Sequence, residues 1–195
     1  MRLRNCSINI LTLASLLFAT TASADWRLAN EDSNLNFIST KNINVSEIHH
    51  FSQLSGELSE KGTLSVEIDL ASVATGIAIR DTRMAEKLFL VGQFPTAKLS
   101  ATLPDNVLAL KPGQTGGFVL PATLKIMSTE LPISVSVQVT KSSDGNLTAT
   151  SSKPILIAAA DYGLQSGVEM LQKIAGLSSI GLSVPVSFNL VFTQY

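Results

Sequence analysis

Cysteine is almost missing from this chain: Cys6 is the only one in 195 residues. That excludes an internal disulfide framework and the thiolate zinc sites that need several cysteines at close spacing. Histidine is nearly as scarce, confined to the adjacent pair His49 and His50. Aromatic residues make up only 6 %, with one tryptophan and two tyrosines. No run reaches the ~18 consecutive apolar residues of a membrane-spanning helix. Charge of either sign is sparse at 15 %, and no block of one sign occurs. Nothing here has the basic footprint of a nucleic-acid or anionic-surface binder.

The first 24 residues read as a secretory signal peptide. Arg2 and Arg4 form a positive start, Ile8 to Phe18 an apolar core, and Ala22-Ser23-Ala24 a small-residue exit, so cleavage is expected between Ala24 and Asp25. Cys6 precedes the apolar core, which rules it out as a lipidated cysteine following that core. The 171 residues from Asp25 carry 12 basic and 15 acidic side chains, a net charge of −3. That length suits one domain, with enough chain to bury a core unaided by disulfides or metal. Lipid contact, if any, is then expected from apolar surface.

Period-two alternation dominates that domain. Leu64, Val66, Ile68 and Leu70 share one face against Ser65, Glu67 and Asp69. Ile133, Val135, Val137 and Val139 oppose Ser134, Ser136, Gln138 and Thr140. The run from Leu182 to Phe192 and the segment Ala97 to Leu103 repeat the pattern, and weaker versions lie at 26–39, 46–58, 117–126 and 146–157. About eight half-wet, half-dry strands result, the antiparallel signature. Turn residues at Glu60-Lys61-Gly62, Lys111-Pro112-Gly113 and Ser143-Asp144-Gly145 separate them.

Two segments depart from the alternation. In "RDTRMAEKLFLVGQFP", residues 80–95, Asp81 can cap a short helix with Met84, Leu88 and Val91 on one side. In "DYGLQSGVEMLQKIAG", Leu164, Val168, Leu171 and Ala175 form a helical stripe, with Asp161 as N-cap and Gly176 as stop. Eight antiparallel strands and two short helices fit an all-β barrel or a sandwich, and alternation alone does not choose between them.

Few groups point to chemistry. Neighbouring strand residues face opposite sides, so His49 and His50 cannot easily grip one metal. Neither a phosphate loop, an H-E-x-x-H helix, a nucleophile elbow nor a dinucleotide fingerprint occurs. An eight-stranded barrel either fills with side chains or holds one small ligand. Slender inward residues such as Ala97, Ala101, Ala122 and Ala149 leave room for an apolar channel, whereas a sandwich would bury the same residues completely.

The order of motifs resembles the YceI-like family of exported, lipocalin-like polyisoprenoid-binding proteins. The residues that carry the likeness are Phe51 to Gly56, Ser72 with Thr75-Gly76, Arg80-Asp81, Phe89, Phe94-Pro95 and the later "ADYGLQSG". Two departures stand out: Leu88-Phe89-Leu90 replaces a commoner pair of successive aromatics, and the histidine is doubled. The resemblance implies an elongated eight-stranded antiparallel lipocalin-like barrel with an apolar tunnel for an isoprenoid-type amphipathic lipid, such as a polyprenyl phosphate or a quinone.

On that reading the expected tunnel lining is Phe37, Phe51, Met84, Leu88, Phe89, Phe94, Phe188 and Phe192. Head-group donors are expected at the mouth from Lys41, His50, Arg80 and Arg83. The function expected is non-enzymatic binding, transport or sequestration in the periplasm. No cofactor is expected apart from a bound lipid, and no nucleic-acid partner. A ligand-free interaction module supporting a membrane quinone-linked cytochrome is the alternative, and a hydrolase or redox enzyme built on His49, His50 and Asp81 a further one. A homodimer through a strand edge or helix is compatible with the sequence.

Overall fold

The structure, a computed structural model, describes residues 25–195. The expected leader, 1–24, lies outside the described residues. Among the described residues, twelve strand segments group into eight consecutive runs. The first run is β1 (Trp26–Leu28) and β2 (Asn34–Lys41), and the second is β3 (Val45–Phe51) and β4 (Leu54–Leu58). β5 (Thr63–Asp69) follows, then the two-residue β6 (Val73–Ala74), then β7 (Thr96–Thr102), β8 (Thr115–Ile126) and β9 (Thr129–Lys141). The seventh run is β10 (Leu147–Ser151) with β11 (Ile155–Ala158), and the eighth is β12 (Ser183–Gln194).

Each run pairs antiparallel with the next, and β12 returns to pair with both β1 and β2. The sheet is therefore closed: an eight-stranded up-and-down barrel, not a sandwich. Closure removes the exposed edges that an open sheet must protect.

The breaks in the first two runs lie side by side. Asn30 stitches them, its Oδ1 accepting from the Leu54 N–H at 2.7 Å and its Nδ2 donating to the Ser52 carbonyl at 3.2 Å. Gly56 in β4 is required by close approach, since a Cβ there would sit 2.8 Å from the Ser65 carbonyl oxygen.

The two ends of the barrel are built differently. Trp26, Leu58, Val139, Leu147 and Phe192 fill one end, and Val107 of the four-residue helix α1 (Asp105–Leu108), 1 % exposed, plugs it. Burying each such side chain contributes ~1.5–3 kcal/mol. At the opposite end, helix α2 (Ala78–Arg83) passes directly into a π-helical turn, Met84–Leu88. Against that turn packs α3 (Gln165–Ala175), so closely that a Cβ on Gly167 would meet Leu88 Cα and the Lys87 carbonyl at 2.9 Å.

Helix content thus exceeds the two expected segments, because "DNVL" of α1 is too short to leave a periodic stripe. Two capping expectations also need correction. Ile77, not Asp81, precedes the helix, and Asp81 lies within it. Asp161 belongs to a 3-10 turn (Ala159–Tyr162), and Leu164 occupies the N-cap of α3. Gly176 does terminate α3, with φ of 64°.

Candidate functional site

The half of the barrel nearer the π turn is not filled. It encloses a cavity of about 500 Å³, within the ~300–1,000 Å³ usual for ligand sites. Val66, Ile68, Leu99, Leu124, Val186 and Leu190 are among the barrel residues around it, and Met84, Leu88, Phe89, Leu164 and Val168 cover it from the helices. Ile77 and Ile79, each at least half exposed, mark its rim.

Pleating explains where the polar groups lie. β2 turns Leu35, Phe37, Ser39 and Lys41 inward, and β3 opposes them with Phe51, His49 and Glu47. Along this wall the character changes from aromatic to charged towards the rim. Phe37 packs edge-on to His49 and tilted against Phe51, both at 5.3 Å between centroids, and Phe51 reaches Phe89 at 5.8 Å.

Glu47 organises the rim. Lys41 Nζ donates to its Oε1 at 2.9 Å, and Arg80 Nη1 donates to its Oε2 at 2.7 Å. The Lys41 ammonium, with the Arg80 guanidinium beside it, holds the Glu47 carboxyl below the usual carboxylate range. Arg80 is further fixed by donating from Nε to Thr75 Oγ1 at 2.8 Å and from Nη2 to the Thr75 carbonyl at 2.7 Å. Asp81 completes the latch by accepting from the Thr75 N–H and hydroxyl. The Thr-Gly and Arg-Asp motifs are therefore one clamp, holding α2 to the barrel wall.

His49 is 3 % exposed. Its Nε2 lies 3.0 Å from Ser39 Oγ and its Nδ1 has no partner. Burial, reinforced by the Arg80 charge, lowers its pKa and keeps the imidazole neutral at pH 7.

Of the expected lining residues, Phe37, Phe51, Met84, Leu88, Phe89 and Phe188 all border this cavity. Phe94 and Phe192 do not. Phe94 sits in a reverse turn, its N–H donating to the Leu90 carbonyl. Phe192 is inward but below the cavity floor, paired with Leu28 and Leu147 in the filled end. Lys41, Arg80 and Arg83 stand at the mouth. His50 does not: it lies on the outer face of β3, exposed, and its neighbour His49 turns inward. Glu47 and Ser39 are not among the expected site residues, and His49 is expected only in the enzyme alternative, although alternation back from Phe51 reaches both 49 and 47.

A closed antiparallel barrel with an apolar cavity under a helical cover defines a lipocalin-like barrel. Its family is also clear: the YceI-like domain model matches residues 26–192, and the chain belongs to the YceI-like family. It is similar to a polyisoprenoid-binding domain from Saccharophagus degradans implicated in plant cell wall breakdown. That likeness has 33 % identity and a TM-score of 0.84, covering 87 % of this chain and 98 % of that one. BcnA from Burkholderia cenocepacia shares the fold at 19 % identity and a TM-score of 0.66, over 85 % of this chain and 99 % of that one. Among curated proteins there is no match to the chain.

Proposed function

We propose that this protein binds an amphipathic isoprenoid-type lipid, a prenyl quinone or a polyprenyl phosphate, and carries or sequesters it in the periplasm without chemical change. The observation that carries this reading is a cavity of about 500 Å³ whose walls are apolar and whose charged groups are confined to one mouth. A prenyl tail gains ~0.8 kcal/mol for each buried CH₂-sized unit, so the walls supply affinity without polar contacts. Lys41, Arg80 and Arg83 are placed to donate to a quinone or phosphate oxygen and so fix orientation. The polyisoprenoid-binding relative at 33 % identity supports the ligand class.

The alternatives have weaker support. An interaction module without a ligand has no need of so large a cavity. Catalysis by His49, His50 and Asp81 would need convergence, yet the two histidines face opposite sides of β3 and the Asp81 carboxylate is engaged by Thr75. The test is organic extraction of protein purified without added lipid, followed by mass spectrometry. An isoprenoid in stoichiometric amount is expected. A chain that is empty and takes up no prenyl quinone overturns the reading.

A further inference from the structure

The lip around the cavity mouth carries an unusual residue at its tip. In the β2–β3 turn, Ile43 is 85 % exposed and its φ is +74°. A β-branched side chain disfavours that left-handed backbone, where glycine or asparagine is the ordinary choice. Neither burial nor backbone preference accounts for isoleucine there. Folding alone would favour a different residue, which points to a role outside the folded core.

Other apolar side chains are exposed at this end of the barrel. Val45 begins the next strand, and Ile77 and Ile79 edge the cavity at the start of α2. From α3, Ile174, 43 % exposed, also lines the cavity. The turn is joined directly to the loop that follows α3: Asn42 N–H donates to the Ser179 carbonyl, and Ser178 N–H to Asn42 Oδ1. Ile77, Ile79 and Ile174 line the opening, and these bonds tie the turn that carries Ile43 to the chain leaving α3 on the same side of the barrel.

The charges beside the lip are complementary to one kind of surface. The charged groups at the mouth are Lys41, Arg80 and Arg83 against Glu47, three cations to one carboxylate. Glu47 is shared by Lys41 and Arg80, whereas Arg83 holds no ion pair among the described residues. The chain from Asp25 is acidic overall, with net charge −3, so this local excess opposes the average.

We propose that this lip docks on the polar–apolar boundary of a lipid bilayer, with Ile43 inserted among the acyl chains and Arg83 meeting lipid phosphates. Docked in this way, the cavity mouth faces hydrocarbon, and a tail can enter without crossing water. Apolar insertion supplies most of the binding, and the cations add a salt-sensitive increment on anionic lipid.

Flotation of residues 25–195, a closed barrel with its own core, on phosphatidylcholine–phosphatidylglycerol vesicles tests this. The vesicles contain no isoprenoid, so the result is independent of the cavity's ligand. The protein is expected to float. Ile43→Asn should lose roughly tenfold in vesicle affinity while melting no lower than the parent, because asparagine suits the backbone better. Val119→Ser, on the barrel wall at a site 67 % exposed, should bind like the parent. Ile79→Ser should weaken binding on the other side of the mouth. Four results overturn the proposal: a parent protein that never floats, Ile43→Asn binding unchanged, Val119→Ser losing as much, or a solution dimer that Ile43→Asn dissociates, which would assign the lip to a second copy.

Discussion

Arg80 Nη1 and Glu47 Oε2 lie 2.7 Å apart, joining the first helix at the cavity mouth to the barrel wall. Both side chains are about a quarter to a third exposed, so their pairing is intermediate between a surface and a buried bridge. Glu47→Gln is expected to cost about 1–2 kcal/mol in thermal or denaturant unfolding. It also releases Lys41 and Arg80 from their shared carboxylate. Uptake of a polyprenyl phosphate should rise relative to that of a neutral prenyl quinone, read in a competition assay. Equal uptake ratios in parent and variant would show that these cations do not meet the head group.

His49 makes stability depend on pH. Its folded pKa is lowered below the ordinary 6.5, chiefly by burial. The unfolded chain therefore binds a proton more readily than the folded one, and stability falls with pH from about 6.5 downward through the folded value. Above pH 7.5 the contribution is constant. Glu47, also lowered, adds its own loss only below its ordinary 4.5. Denaturant unfolding at pH 7.5 and 5.5 should show the decline in the parent and a flatter profile in His49→Gln. Parallel profiles would remove His49 as the cause.

Gly167 sets how closely α3 sits on the π turn. Gly167→Ala would drive a methyl towards Leu88 Cα and the Lys87 carbonyl, both backbone atoms that cannot swing aside. A loss of about 1–3 kcal/mol is expected from this overpacking. Hydrogen exchange should rise at Met84–Leu88 more than in β8 or β9. Uniform change across the barrel would argue against a local wedge.

Leu124 borders the cavity from β8. Leu124→Phe places a larger apolar side chain into the empty space instead of into a packed core. Prenyl-lipid uptake should fall while the melting temperature holds or rises, because the cavity gains contacts. Loss of both together would show that no room was available there.

Much of this architecture was legible in the sequence. Every barrel run left a period-two trace, and Leu64, Val66 and Ile68 share the inward face that their spacing required. Closure was not legible, because alternation is the same in a sandwich; it depends on β12 pairing back to Trp26 and Phe37 across the length of the chain. The family resemblance supplied what periodicity could not.

The mouth was read less well. Arg80 stood out by its charge, but its partner Glu47 is 33 residues away and is met only through folding. Of the two adjacent histidines, pleating allows only one to share the inward face of Phe51, and that one is His49. Strict application of alternation would have turned His49 and Glu47 inward. Phe192 shows the opposite limit: its face was correct, but the depth at which the cavity ends is set by Trp26 and α1 and leaves no local mark.

A cavity of this size and lining is expected to hold one prenyl-tailed lipid. Native mass spectrometry of protein purified without added lipid tests it most directly. One isoprenoid-type lipid per chain is expected, or the same one-to-one increment after incubation with a prenyl quinone or polyprenyl phosphate. A mass equal to the bare chain under both conditions would contradict it.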